Sequence, residues 1–191
     1  MNSFNLYFTT GWQHIISLNA LDHILFIIAL TAIYTLQNWK QVLVLVTAFT
    51  IGHSLTLALS VYDVIRFSEK WLEFLVPCTI VLTALFNLLL KNFDKRSLRL
   101  NYLLALFFGL IHGMGFANTI RFMLSKDEQI AFPLLSFNIG LEVGQVALVS
   151  IILCASYLAI NKLKCRRRWW VWALSGISFF IAIQMAVERL P

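Results

Sequence analysis

The chain has 191 residues, of which 60% are hydrophobic and only 13% charged, with a mean hydropathy of +0.80. That balance excludes a soluble fold, because too few polar residues remain to cover a water-facing surface. The formal charge of +6 does not point to nucleic acid, since the basic residues sit between apolar spans and report topology instead.

A helix needs roughly 20 apolar residues to cross a ~30 Å hydrocarbon core. Hydropathy predicts six such helices, at about 12–36, 41–61, 71–91, 100–124, 132–161 and 169–188, in an all-α, polytopic membrane protein. The bundle is read as one transmembrane domain over 1–191, without linker or repeat. Residues 1–14, MNSFNLYFTTGWQH, carry neither a basic stretch nor a small-residue cleavage site, so the first span is expected to act as an uncleaved insertion signal. Ten Lys and Arg fall in the first, third and fifth loops against four in or beside the second and fourth, which predicts both termini outside. The expected location is the inner (cytoplasmic) membrane of a bacterium, with the lipid bilayer as the obligatory partner. A homo-oligomer is compatible with the sequence.

Ionisable groups at membrane depth are costly, and those of the first, second, fourth and fifth spans, with their polar neighbours, need an explanation. In the first, GWQHIISLNALDHILF holds His14, Asp22 and His23, with His14 close to the outer interface. In the second, TAFTIGHSLTLALS holds Thr50, His53 and Ser54, with Thr47, Thr50, His53 and Thr56 forming a stripe. Glu73, Pro77 and Asn87 in the third span read as a helix-end acid, a proline near the helix start and a buried amide. The fourth, FFGLIHGMGFAN, holds His112 and Asn118; the fifth, FNIGLEVGQ, holds Asn138, Glu142 and Gln145 on one face. Glu188 and Arg189 close the last span as a local ion pair or an interfacial anchor.

Helical rise puts His53 and His112 about 18 Å from their inner helix starts, and Asp22, His23 and Glu142 about 15 Å from their outer ones. These depths match, so the polar stripes are expected to converge. Imidazole and carboxylate ligands without thiolates suit a divalent first-row ion such as Ni, Co or Zn. The candidate metal ligands are His14, Asp22, His23, His53, His112 and Glu142, with Asn138, Gln145 and Thr50 supporting them. Cys78, Cys154 and Cys165 have no metal-ligand spacing and are read as packing residues, with Cys165 beside the membrane as an acylation candidate. The GxxxG pairs Gly109/Gly113 and Gly140/Gly144 predict close helix approach beside His112 and Glu142.

The motifs in His14 to Phe26, TAFTIGHSLTLAL, FGLIHGMGFA and FNIGLEVGQ, in that order, make the sequence resemble the HupE/UreJ family of hydrogenase and urease accessory membrane proteins over most of its length. The resemblance implies a nickel or cobalt permease, with His14, Asp22, His23 and His112 at motif positions. The sequence departs from the nickel-permease branch in its longer spacing between His14 and Asp22, and in Phe108 and Gly115 where that branch has His and Glu. It looks closer to a second branch marked by TAFT-x-x-HS and GFA.

Transport of a divalent transition metal is therefore the first functional expectation. An intramembrane zinc-dependent hydrolase acting on a lipid or embedded substrate is the alternative, with Asp22, Glu142 and Ser54 as its catalytic candidates. A nonenzymatic membrane accessory of metallocentre assembly is the third.

Overall fold

The computed structural model describes residues 3–90, 95–123 and 130–191, apart from the side chains of residues 19 and 95–100. Residues 91–94 of the third predicted loop and 125–129 of the fourth lie outside the described residues. The chain folds into α1 (Ser3–Ile16), α2 (Leu21–Thr31), α3 (Trp39–Val61), α4 (Glu69–Leu89), α5 (Lys95–Gly115), α6 (Ala117–Met123), α7 (Ala131–Tyr157) and α8 (Arg167–Glu188), with no strand among the described residues. A π-helical turn, Leu158–Lys162, prolongs α7.

Four helical runs, Leu36–Val61, Glu69–Leu89, Ala131–Lys162 and Arg167–Glu188, are long and apolar enough to cross a membrane. Counting each bent pair as one span gives up to six, the bends being 63° between α1 and α2 and 44° between α5 and α6. Where hydropathy runs one helix across 12–36, the chain instead starts helical at Ser3 and breaks after Ile16. His14 consequently stands in the last turn of α1, deep in the bundle, rather than near the outer start of a span. Hydropathy misses such a break because its window average stays apolar across Ser17 and Asn19. Pro77 likewise sits inside α4, not near its start, and lacks the N–H that would bond the carbonyl of Glu73.

Two helix pairs run side by side at contact distance, and glycines allow it. A Cβ on Gly109 would collide with the Phe49 carbonyl, one on Gly113 with the His53 carbonyl, and one on Gly52 with that of Leu106. These contacts lock α3 and α5 in the same direction. A Cβ on Gly11 would strike the Phe137 carbonyl and one on Gly140 that of Phe8, locking α1 alongside α7. Close backbone approach through small residues replaces the hydrophobic drive that lipid does not supply. A third pair, α4 and α8, is joined by Asn87 in the last turn of α4, whose Nδ2 donates to the Ala29 carbonyl at 2.6 Å and to Ser175 Oγ at 3.2 Å.

The outward faces carry apolar side chains such as Ile51, Leu55, Leu82, Leu135, Ile177 and Phe180, as lipid contact requires. Trp169 and Trp172 stand at the start of α8 beside Arg168, which lies 4.8 Å over the Trp172 ring, an interfacial aromatic arrangement.

Candidate metal site

The bend between α1 and α2 decides the site. On a straight helix His14 and His23 would be separated by about 13.5 Å of rise. Their ring centroids are instead 4.4 Å apart. The α3–α5 contact sets His53 and His112 beside them: His23 lies 6.3 Å from His53 and 4.9 Å from His112, and His14 lies 5.9 Å from His53. Ligand atoms of His14, His23 and His53 all fall within 4.8 Å of one another.

Hydrogen bonds orient two of these rings. Asp22 Oδ1 accepts from the His23 backbone N–H at 2.8 Å and lies 3.0 Å from His23 Nδ1. A proton on Nδ1 toward the carboxylate leaves Nε2 bare and turned to the cluster, an arrangement typical of ligating histidines. Thr79 does the corresponding work for His112. Its hydroxyl lies 2.7 Å from the Val76 carbonyl and 3.0 Å from His112 Nε2. A hydroxyl has one proton. Given to Val76, that proton leaves Oγ1 to accept from His112 Nε2–H, so His112 Nδ1 is the bare nitrogen. It faces His23 Nε2 at 3.4 Å.

Two lone pairs facing each other without a proton between them repel, unless a cation stands there. With metal–nitrogen bonds of 2.0–2.1 Å, two imidazole ligands of a tetrahedral ion are themselves about 3.4 Å apart. His53 adds to the deficit. It is fully buried and neither ring nitrogen has a partner; His14 Nε2 is also buried and unpartnered. Buried polar atoms normally find a partner, so the donor set fits a borderline divalent transition ion.

A cavity of about 430 Å³ leads to the cluster, with His14, His23 and His112 in its wall and His53 behind them. Its mouth carries Gln13, Glu69, Glu73 and Arg189. Phe116, at the junction of α5 and α6, lines the cavity with its ring 4.0 Å from His14 and stacked on Phe137 at 5.1 Å.

The structure brings together His14, His23, His53 and His112, with Asp22 attached to His23. The other candidates lie elsewhere. Glu142 Oε1 accepts from Thr47 at 3.0 Å and Gln145 Oε1 from Thr50 at 2.8 Å, both along the α3–α7 seam. Asn138 Oδ1 is buried there without a partner. Ser54 is half-buried and is not part of the cavity wall, because it points about 100° away from His53 on α3. Asn118 donates to Glu69 at the rim of the cavity.

Sequence reasoning missed Thr79, whose signal was a second threonine stripe, Thr79 and Thr83, in an apolar span. It also read Glu188 and Arg189 as a local ion pair or an interfacial anchor. Glu188 instead accepts from Gln184 at 2.9 Å, while Arg189 Nη1 reaches Asp22 Oδ2 at 3.5 Å. That contact spans the whole chain and leaves no local trace. Glu73, read as a helix-end acid, lines the cavity.

The family described as HupE / UreJ protein matches residues 1–189. No curated protein and no solved structure matches the chain.

Proposed function

The chain belongs to the HupE/UreJ family, and we propose that it carries a divalent transition metal, nickel- or cobalt-like, across the membrane through the histidine cluster. The observation that supports this most is the approach of His23 Nε2 and His112 Nδ1 to 3.4 Å, next to the unpartnered nitrogens of His53 and His14. The ion is cargo. It enters by the cavity past Glu69 and Glu73, exchanges water for imidazole at His14, His23 and His112, and reaches His53 behind them. With both termini outside, the cavity mouth, built from the starts of α4 and the end of α8, faces outward.

Transport needs sites that bind and release, and neutral imidazoles in a cleft bent at two helix breaks suit that demand. A zinc hydrolase is less well served. Asp22, the acid closest to the histidines, already serves His23 and Arg189, and Ser54 and Glu142 do not line the cavity.

The test is uptake of radioactive nickel or cobalt by proteoliposomes containing the full chain. Wild type should accumulate metal, and His23→Ala and His53→Ala should reduce accumulation to the level of empty liposomes. Equal uptake by wild type and both variants would reject the proposal.

A further inference from the structure

Arg189 puts a fixed positive charge beside a site suited to cations. It caps the C-terminus of α8, its backbone N–H donating to the Met185 carbonyl, and it forms part of the wall of the cavity that leads to the histidines. Among the described residues of that wall it is the one Lys or Arg, set against the acids Asp22, Glu69 and Glu73. A guanidinium keeps its charge at any working pH. An ion approaching His23 must therefore come close to it.

Two simpler roles do not account for Arg189. It is not neutralised by the acid next to it in sequence, because Glu188 accepts from Gln184 at 2.9 Å while Arg189 Nη1 lies 3.5 Å from Asp22 Oδ2. Nor is it needed to hold Asp22. Asp22 Oδ1 already accepts from the His23 backbone N–H at 2.8 Å and lies 3.0 Å from His23 Nδ1, so the carboxylate is fixed from one oxygen before Arg189 reaches the other. What Arg189 adds is charge. Asp22 is the acid attached to the histidines, and its negative charge would favour a dication on His23; the guanidinium offsets that charge from the opposite side. With a carboxylate and an imidazole between them, guanidinium and ion are on the order of 10 Å apart, a repulsion worth roughly fourfold in affinity at the dielectric of water and more in a drier wall.

We infer that Arg189 sets the affinity of the histidine cluster: paired with Asp22, it cancels the carboxylate's attraction for a dication and keeps the ion exchangeable. The inference deepens the transport reading and rests on it for the identity of the ion's ligands. A carrier gains nothing from a site that holds its cargo too tightly. Four imidazoles and an uncompensated acid would bind a late first-row dication strongly, and one fixed cation at the edge of the site moderates that without occupying a ligand position.

Equilibrium dialysis of the purified full-length protein with Co²⁺ tests this by sign. Arg189→Gln should bind Co²⁺ about tenfold more tightly than wild type, and Arg189→Lys, which keeps the charge, should stay within about twofold of it. The gap between wild type and Arg189→Gln should narrow as salt is raised, since the Arg189 side chain is 35% exposed and open to screening. In an Asp22→Asn background Arg189→Gln should again tighten binding and recover part of what Asp22→Asn loses. Co²⁺ preloaded on Arg189→Gln should leave to a chelator about tenfold more slowly than from wild type. Weaker or unchanged binding in Arg189→Gln and Arg189→Ala alike would overturn the inference and make Arg189 a support for Asp22. Tightening by Arg189→Lys equal to that by Arg189→Gln would also overturn it, because shape and not charge would then be the cause. Either result leaves the histidine site standing, whereas absence of Co²⁺ binding in wild type and in every variant would sink both readings.

Discussion

His112 Nδ1 faces His23 Nε2 at 3.4 Å, each ring turned by a bond on its far side, from Thr79 and Asp22 respectively. The pairing joins α5 to α2 and depends on tautomers that two neighbours impose. Its consequences are measurable.

Asp22→Asn keeps the shape of the side chain but withdraws the charge that orients His23. Loss of such an outer partner costs about 10–100-fold in metal affinity. Equilibrium dialysis with Ni²⁺ or Co²⁺ should find a fall in that range, and an unchanged affinity would show that the carboxylate does not set the ring.

Thr79→Val is nearly isosteric and removes only the hydroxyl that fixes His112 Nε2–H. Freed of that bond, His112 can place its proton on Nδ1, toward His23. Metal binding should weaken by about tenfold, less than for His112→Ala, with little change in melting temperature. Calorimetric titration and thermal unfolding of the same sample check both halves.

Glycine positions separate packing from propensity. Gly109→Ala drives a Cβ into the Phe49 carbonyl, a backbone atom that cannot move aside, and should cost about 1–3 kcal/mol. At Gly176 in α8 nothing lies within 4 Å of an added Cβ. Gly176→Ala should therefore be neutral or stabilise by up to about 1 kcal/mol. Thermal unfolding followed by circular dichroism in detergent should order the two variants on opposite sides of wild type.

Asp63 ties the α3–α4 loop to α6. It accepts from Arg66 and lies 3.2 Å from Arg121, and these partners, Arg66 first, hold its carboxyl down to about 2. A depressed carboxyl contributes fully above its ordinary value of 3.8 and loses its contribution as pH falls through about 2. Amide exchange in Ala117–Met123, corrected for intrinsic rates, should stay constant from neutral pH down to about 4 and rise below it. Asp63→Asn should reproduce that rise at neutral pH.

Composition and hydropathy determine much of this protein. Apolar runs of span length admit only helices that satisfy their own backbone in lipid, so the all-α membrane fold follows from residues read in order. The helical period places Asn138, Glu142 and Gln145 on one face, and the GxxxG spacings mark where helices touch. Local pattern does not carry the distances between helices. His14 and His23 meet because α1 and α2 bend by 63° at a break that hydropathy does not register, and His112 is set beside His53 because Gly109 and Gly113 bring α5 onto α3. The same geometry leaves Glu142 on the α3–α7 seam, although its depth in the sequence matches that of the histidines. Depth is additive along a helix and can be counted; which groups share a site depends on bend angles and on contacts between residues far apart in the chain, and those only the folded bundle decides.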